Sequence, residues 1–172
     1  VRADVTAATA VYVLERAARG AAVLHFVPGE QPAQTIRIVY DGKTLTTQLL
    51  QVQLDELGRI ASRVTRADGM QWADGPMNTL LMAEDVSAGW DGWDIDADCM
   101  MKLQPAARLT KQTGPADGPK EFRLHSRYEL GTATILEQDM IFRAESTLVE
   151  WQTVLHWNEK HRVLKAAFPT NL

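Results

Sequence analysis

Leu50-Gln51-Val52-Gln53-Leu54-Asp55-Glu56-Leu57-Gly58-Arg59-Ile60-Ala61-Ser62-Arg63-Val64 is the stretch that decides the fold. Leu50, Val52 and Leu54 alternate with Gln51, Gln53 and Asp55, a period of two that puts apolar residues on one face of a strand and polar ones on the other. Glu56-Leu57-Gly58 then reads as a turn, and the chain returns through Ile60 and Val64. The spacing predicts a half-buried antiparallel hairpin.

Working outward, the same period recurs. Phe122, Leu124, Ser126, Tyr128 and Leu130 alternate with Arg123, His125, Arg127 and Glu129, and Gly131 ends the run. Strands are predicted next over Ile135 to Phe142 and over Leu148 to Trp157, the second with Val149, Trp151, Leu155 and Trp157 on one face. Gly114-Pro115 and Asp117-Gly118-Pro119 mark residues 110–119 as a loop, and β pattern on both sides argues against a domain linker there. Upstream, Ala21 to Phe26 is closed by Pro28-Gly29 and Thr35 to Tyr40 by Asp41-Gly42, both turn signals. The Ala-rich stretch Asp4 to Arg19 reads instead as one helix, with Asp4 as N-cap, an apolar stripe through Val5, Ala8, Val11, Tyr12 and Ala18, and Gly20 as its stop. The expected organisation is a helix over residues 1–20, a short β segment over 21–49 and a β domain over 50–172. Many short two-faced strands predict a mainly β, antiparallel sandwich.

Composition bounds the function. A chain of 172 residues with 45% hydrophobic and 23% charged residues has the make-up of a globular domain with a real core. A net charge of −4, with Lys and Arg scattered singly, offers no footprint for nucleic acid or an anionic membrane. No apolar run approaches the ~20 residues of a membrane span. One cysteine, Cys99, cannot form an internal disulfide, which fits a reducing, cytoplasmic setting, and beside Met100 and Met101 it reads as a small core residue. The sequence begins at Val1 without methionine, so a natural start further upstream is expected.

Chemistry is most tempting in Asp94-Ile95-Asp96-Ala97-Asp98. On a strand, its three carboxylates would share one face at ~6.5–7 Å intervals. A calcium loop is excluded, because Cys99 stands where the sixth-position glycine belongs and Pro105 where the twelfth-position glutamate belongs. A glycosidase pair is disfavoured, because an acid and a base must flank the scissile bond rather than point the same way. A solvated or interface-facing edge remains. Just before it, Trp90 and Trp93 with Gly89 and Gly92 predict a sharp bend bearing two large amphipathic rings, fit to stack on a sugar or seat against another domain. His156 and His161 are five residues apart, without the H-E-x-x-H spacing of a helical zinc site, and His25 and His125 read as structural or solvated. No nucleophile elbow, P-loop or dinucleotide-binding glycine pattern is present.

Three ordered segments carry a resemblance. Val52-Gln53-Leu54-Asp55-Glu56-Leu57-Gly58-Arg59-Ile60-Ala61-Ser62 resembles the hairpin that opens the β-domain of α-mannosidases of glycoside hydrolase family 38. Asn78-Thr79-Leu80-Leu81-Met82-Ala83-Glu84-Asp85, followed by Trp90-Asp91-Gly92-Trp93-Asp94-Ile95-Asp96, is similar to that domain's "N-x-L-x-x-x-x-D…W-D-x-W-D" segment. His156 to Pro169 resembles its "W-H-E-x-H-x-x-L-K-x-x-F-P" segment, with Asn158 where the family has His. The resemblance covers residues 50–172 and is closer to the cytosolic, bacterial-type branch.

The resemblance implies a β-sandwich of the galactose-mutarotase-like kind, the non-catalytic domain of an enzyme that removes terminal α-linked mannose with retention. The nucleophile, the general acid and the zinc ion of such an enzyme lie in the catalytic barrel and helical bundle, and no residue here matches them. The fragment alone is expected to be inactive. Its implied partners are that barrel and bundle, and mannosides. Trp90, Asp91, Trp93 and Asp94 are the residues expected near the substrate or at the domain junction. The family's β-region continues past the Phe-Pro, so an exposed sheet edge that invites pairing between copies is also expected. The alternative is a free-standing carbohydrate-binding sandwich with Trp90 and Trp93 as its stacking platform.

Overall fold

The computed structural model describes residues 38–90, 93–117 and 120–171. The helix expected over Asp4–Arg19, the strand over Ala21–Phe26 and the first half of the run Thr35–Tyr40 lie outside them. Among the described residues no helix is long and apolar enough to cross a membrane.

Eleven strands follow in order: β1 (Val39–Tyr40), β2 (Thr44–Thr46), β3 (Leu50–Leu54), β4 (Ile60–Thr65), β5 (Thr79–Glu84), β6 (Gln104–Pro105), β7 (Ala107–Asp117), β8 (Glu121–Leu130), β9 (Thr134–Arg143), β10 (Val149–His156) and β11 (Arg162–Ala167). They form three antiparallel sheets, ordered β1-β2-β3-β4, β10-β9-β8-β7 and β11-β5-β6. The protein is therefore a mainly β sandwich.

The deciding hairpin forms as its period requires. Leu50, Val52 and Leu54 are buried while Gln51 and Gln53 are exposed. Asp55 builds the turn: its Oδ1 accepts from the amides of Leu57 and Arg59, and its Oδ2 accepts from Arg59 Nε at 2.7 Å. Gly58 closes it with φ +71°, and a Cβ there would lie 2.5 Å from Gln112 Nε2 on β7. Glycine takes this left-handed conformation without strain, and any Cβ there would make the Gln112 side chain shift.

The sheet β7–β10 is the centre of the molecule. Its inner row on β8 is Phe122, Leu124, Ser126, Tyr128 and Leu130, opposite Phe142, Met140, Gln138, Leu136 and Thr134 of β9. One end of this face packs on the first sheet: Phe122, Leu124, Met140, Phe142 and Val149 join Leu45, Leu50, Val52 and Ile60 in one apolar cluster. The other end packs on the third sheet, where Tyr128, Leu130 and Leu136 meet Leu80 and Met82. Each such side chain, fully buried, contributes ~1.5–3 kcal/mol of apolar transfer.

A polar seam runs at the middle of this inner face. Ser126, Gln138 and Thr153 lie in register across β8, β9 and β10. Buried Asn78 donates from Nδ2 to Gln138 Oε1 at 2.6 Å, and Gln138 Nε2 donates to Thr153 Oγ1 at 2.8 Å. Buried amides are tolerated only when paired in this way. The outer face carries a lattice of cross-strand ion pairs instead: Arg108 with Glu129, Arg127 with Glu137, Arg123 with Asp139 and Glu121, and Arg143 with Glu150. Exposed pairs of this kind contribute ~0–1 kcal/mol each.

Two sequence expectations are corrected. Residues 110–117, expected as loop, belong to β7, where Gly114 and Pro115 fall inside a shift of register between Thr113 and Ala116. β7 is an edge strand, and a bulge on an edge absorbs a residue that lacks an N–H. The second concerns the acidic run: residues 95–98 form no strand, but a loop that leads into a single 3-10 turn, Cys99–Met101. Asp is depleted in strands and favours turns, and three carboxylates on one strand face would repel.

Candidate functional site

The loop between β5 and β6 carries the residues singled out from the sequence. Trp90 and Trp93 are 83% and 93% exposed, and Asp94 is exposed. Asp91 lies outside the described residues. The amides of Trp93 and Asp94 both donate to the Trp90 carbonyl, at 2.8 and 3.1 Å. Trp90 has φ +56°, the left-handed region, which for an aromatic residue stores about 1–3 kcal/mol of strain. Trp90 and Trp93, expected on a bend, both have their rings in solvent.

The feet of this loop are tied down. The Asp96 amide donates to Asp85 Oδ1 at 2.8 Å, and the Asp85 amide donates to the His161 carbonyl at 2.9 Å. Lys102 sits between Asp98 Oδ1 at 2.6 Å and Asp96 Oδ2 at 3.2 Å. Those hydrogen bonds, the one to Asp98 first, raise the Lys102 ammonium pKa, and Lys102 in turn holds the Asp96 carboxyl below the usual carboxylate range. Both acids thus face one cation rather than opposite sides of a substrate. Beneath them Cys99 is fully buried, as a core cysteine should be.

Sequence reasoning missed Lys102, although a lysine four and six residues after two aspartates is the signal for it. It also missed how much apolar surface the loop presents: of the fourteen exposed large apolar side chains among the described residues, Val86, Trp90, Trp93, Ile95, Met100 and Met101 are six.

The segment from His156 to His161 holds structure together. Glu159 Oε1 accepts from the amides of Thr132 and Ala133 at 2.8 and 3.1 Å, which, Ala133 first, hold its carboxyl below its ordinary range. The Asn158 amide donates to Thr134 Oγ1, and its Nδ2 donates to the Ala133 carbonyl. Together they clamp the β8–β9 turn. His156 and His161 are exposed, and His125 Nδ1 meets Asp139 Oδ1 at 2.6 Å on the outer face.

A cleft of about 890 Å³ opens beside the β3–β4 turn, lined by Lys43, Gln53, Asp55, Glu56 and Arg59 among others. Asp55 spends its carboxylate on the turn and on Arg59, so no free acid pair stands there. Among the described residues no three His, Cys, Asp or Glu side chains converge as a metal requires. The donor set for zinc is therefore not met by them.

Human alpha-mannosidase 2C1 is 28% identical over 150 residues, which cover 83% of this chain and 14% of that protein. The mouse alpha-mannosidase 2C1 is 27% identical over 150 residues, with the same coverage. The chain thus spans about 14% of the length of the curated relatives it matches. The profile of the glycosyl hydrolases family 38 C-terminal domain matches residues 45–172, well over half of the chain. The chain belongs to the glycosyl hydrolase family 38 C-terminal domain family.

Proposed function

We propose that this chain is the non-catalytic β-sandwich domain of an α-mannosidase, and that it supports the catalytic domain and shapes its site through the Trp90–Asp98 loop. The observation that carries the reading is the loop itself. Two tryptophans more than four-fifths exposed stand on a turn whose base is pinned by Asp85, Lys102 and Cys99. Large apolar rings held in solvent suit an interface anchor, and Trp is prominent among residues that dominate interface energies. In this reading the full enzyme hydrolyses terminal α-linked mannose, with its zinc and catalytic acids in the barrel and helical bundle.

The test is hydrolysis of an aryl α-mannoside by the full-length protein and by this chain, each with and without zinc. The full-length enzyme is expected to turn over and the chain alone is not. Trp90→Ala with Trp93→Ala in the full-length enzyme should lower kcat/KM about 5- to 30-fold, the equivalent of ~1–2 kcal/mol of lost interface contact. Turnover by the chain alone would sink the reading. Binding of free mannosides by the chain, lost with the same two substitutions, would replace it with a carbohydrate-binding module.

A further inference from the structure

The polypeptide leaves the third sheet at Glu84, the end of β5, and rejoins it at Gln104, the start of the neighbouring strand β6. Between these points the two arms of the connection meet: the Asp96 amide donates to Asp85 Oδ1 at 2.8 Å. That bond closes the neck of residues 86–95, the segment that carries both exposed tryptophans. Trp90 stands five positions from one end of the neck and Trp93 three from the other, so a few residues of chain, instead of the whole connection, set how far the rings can reach.

Each side of the neck is held by a different part of the fold. On the leaving arm the Asp85 amide donates to the carbonyl of His161, the last residue before β11, and Glu84 pairs with Arg162. His161 follows directly on the segment whose Asn158 and Glu159 clamp the β8–β9 turn. On the returning arm the Asp96 carbonyl accepts from the amide of fully buried Cys99 at 2.9 Å, and Asp96 Oδ2 accepts from Lys102 at 3.2 Å. The Asp85 carboxylate bridges the two arms. A second link, from Lys165 Nζ to Met100 Sδ at 2.9 Å, lies outside the neck and uses a weak acceptor.

We infer that Asp85 is a positioning residue for Trp90 and Trp93: it closes the neck of their loop and so presents both rings, already ordered, to the catalytic domain. The inference rests on the reading of this loop as a contact with that domain. Ordering a loop at an interface is a cost of association, and a loop ordered beforehand avoids part of it. Asp85 touches neither substrate nor the catalytic domain in this account; it acts through the Asp96 amide. A carboxylate that only ended β5 would act on stability alone, and its effect would be independent of the two tryptophans.

Asp85→Ala and Asp85→Asn in the full-length enzyme test this, because asparagine keeps a carbonyl acceptor at Oδ1 and alanine does not. Hydrogen exchange of the Asp96 amide should be about 10-fold faster in Asp85→Ala and within about 3-fold of wild type in Asp85→Asn, with the rest of the molecule unchanged. Hydrolysis of the aryl α-mannoside should follow the same order: kcat/KM falls about 3- to 10-fold in Asp85→Ala and returns toward wild type in Asp85→Asn. Added to Trp90→Ala with Trp93→Ala, Asp85→Ala should lower kcat/KM by less than about 2-fold more, because the loop then has no rings to present. Asp96 exchange unmoved by Asp85→Ala, exchange accelerated throughout the molecule, Asp85→Asn as damaging as Asp85→Ala, or losses that multiply in the triple variant would each overturn the inference. A loss with the tryptophan pair but none with Asp85→Ala overturns the inference alone. No loss with the tryptophan pair overturns the domain-contact reading beneath it, whatever exchange at Asp96 shows.

Discussion

β7 and β10 are the two outer strands of one sheet, held by the same kind of backbone ladder, yet their free sides differ in every respect that matters for association. β7 carries Arg108 and Lys111, takes up Gly114 and Pro115 in a register shift, and has the Gly58 turn packed against Gln112. β10 is straight, has one charged residue, Glu150, and ends in exposed Leu155 and Trp157. Position at the rim does not decide whether an edge is adhesive; the residues spent on guarding it do.

The contrast is broken most severely by removing what both edges rest on. Phe142 is buried to within 1%, stands edge-on to Phe122 at 6.2 Å, and lies opposite Val149 of β10. Phe142→Ala should lower the free energy of unfolding in urea by about 3–5 kcal/mol, as a large cavity in a packed core does, with β7 and β10 melting in one transition. Separate transitions would show that the edges are independent units.

A smaller effect is expected at the polar seam. Asn78→Ala leaves Gln138 Oε1 without its donor and puts alanine at φ +63°, so a loss of about 2 kcal/mol is expected. Hydrogen exchange should rise first in β9 and β10, while β7 keeps its protection. Gly58→Ala should do the reverse. Strain at φ +71° and the clash with Gln112 should cost about 1–2 kcal/mol, with the change in exchange confined to the β3–β4 turn and β7.

The smallest effect is electrostatic. The amides of Ala133 and Thr132 hold the Glu159 carboxyl below its ordinary value, so its contribution is complete above the ordinary glutamate pKa, ~4.3, and disappears as pH falls through the lower native value. Glu159→Gln should flatten the acid limb of the stability profile in that window, with the deficit against wild type present at pH 7 and gone below the native pKa of Glu159. An acid limb as steep as that of the wild type would remove Glu159 from the account.

These regions also separate what the sequence makes legible from what it hides. Leu50 to Val64 and Phe122 to Leu130 were readable because each strand has one covered face, and burial imposes period two on its residues. The family was readable because the Asp55 turn, the Asn78 strand and the Glu159 clamp each use a residue that few alternatives replace. β7 was hidden because Gly and Pro signal turns by local rules, while the bulge that tolerates them is set by its neighbour β8. Asp94 to Asp98 misled for the opposite reason: alternating carboxylates imitate a strand face until Lys102 gathers two of them. Trp90 and Trp93 stand out in the sequence as large rings beside glycines, but only the fold says that those rings stand clear of the core. At β10 alternation named the apolar face correctly and was silent on whether anything covers it, because coverage is a property of a second surface.

The pairing of β5 with β11 reaches further than the shape of one sheet. Arg162 to Ala167 are the partners of Glu84 to Thr79, so β5 leaves the ribosome roughly eighty residues before the strand that completes it. At ~5–20 residues per second that delay is about 4–16 s. Leu80 and Met82 of β5 must pass this interval without β11 beside them. A nascent chain stalled before Arg162 would carry β5 without the strand that completes its sheet on that side.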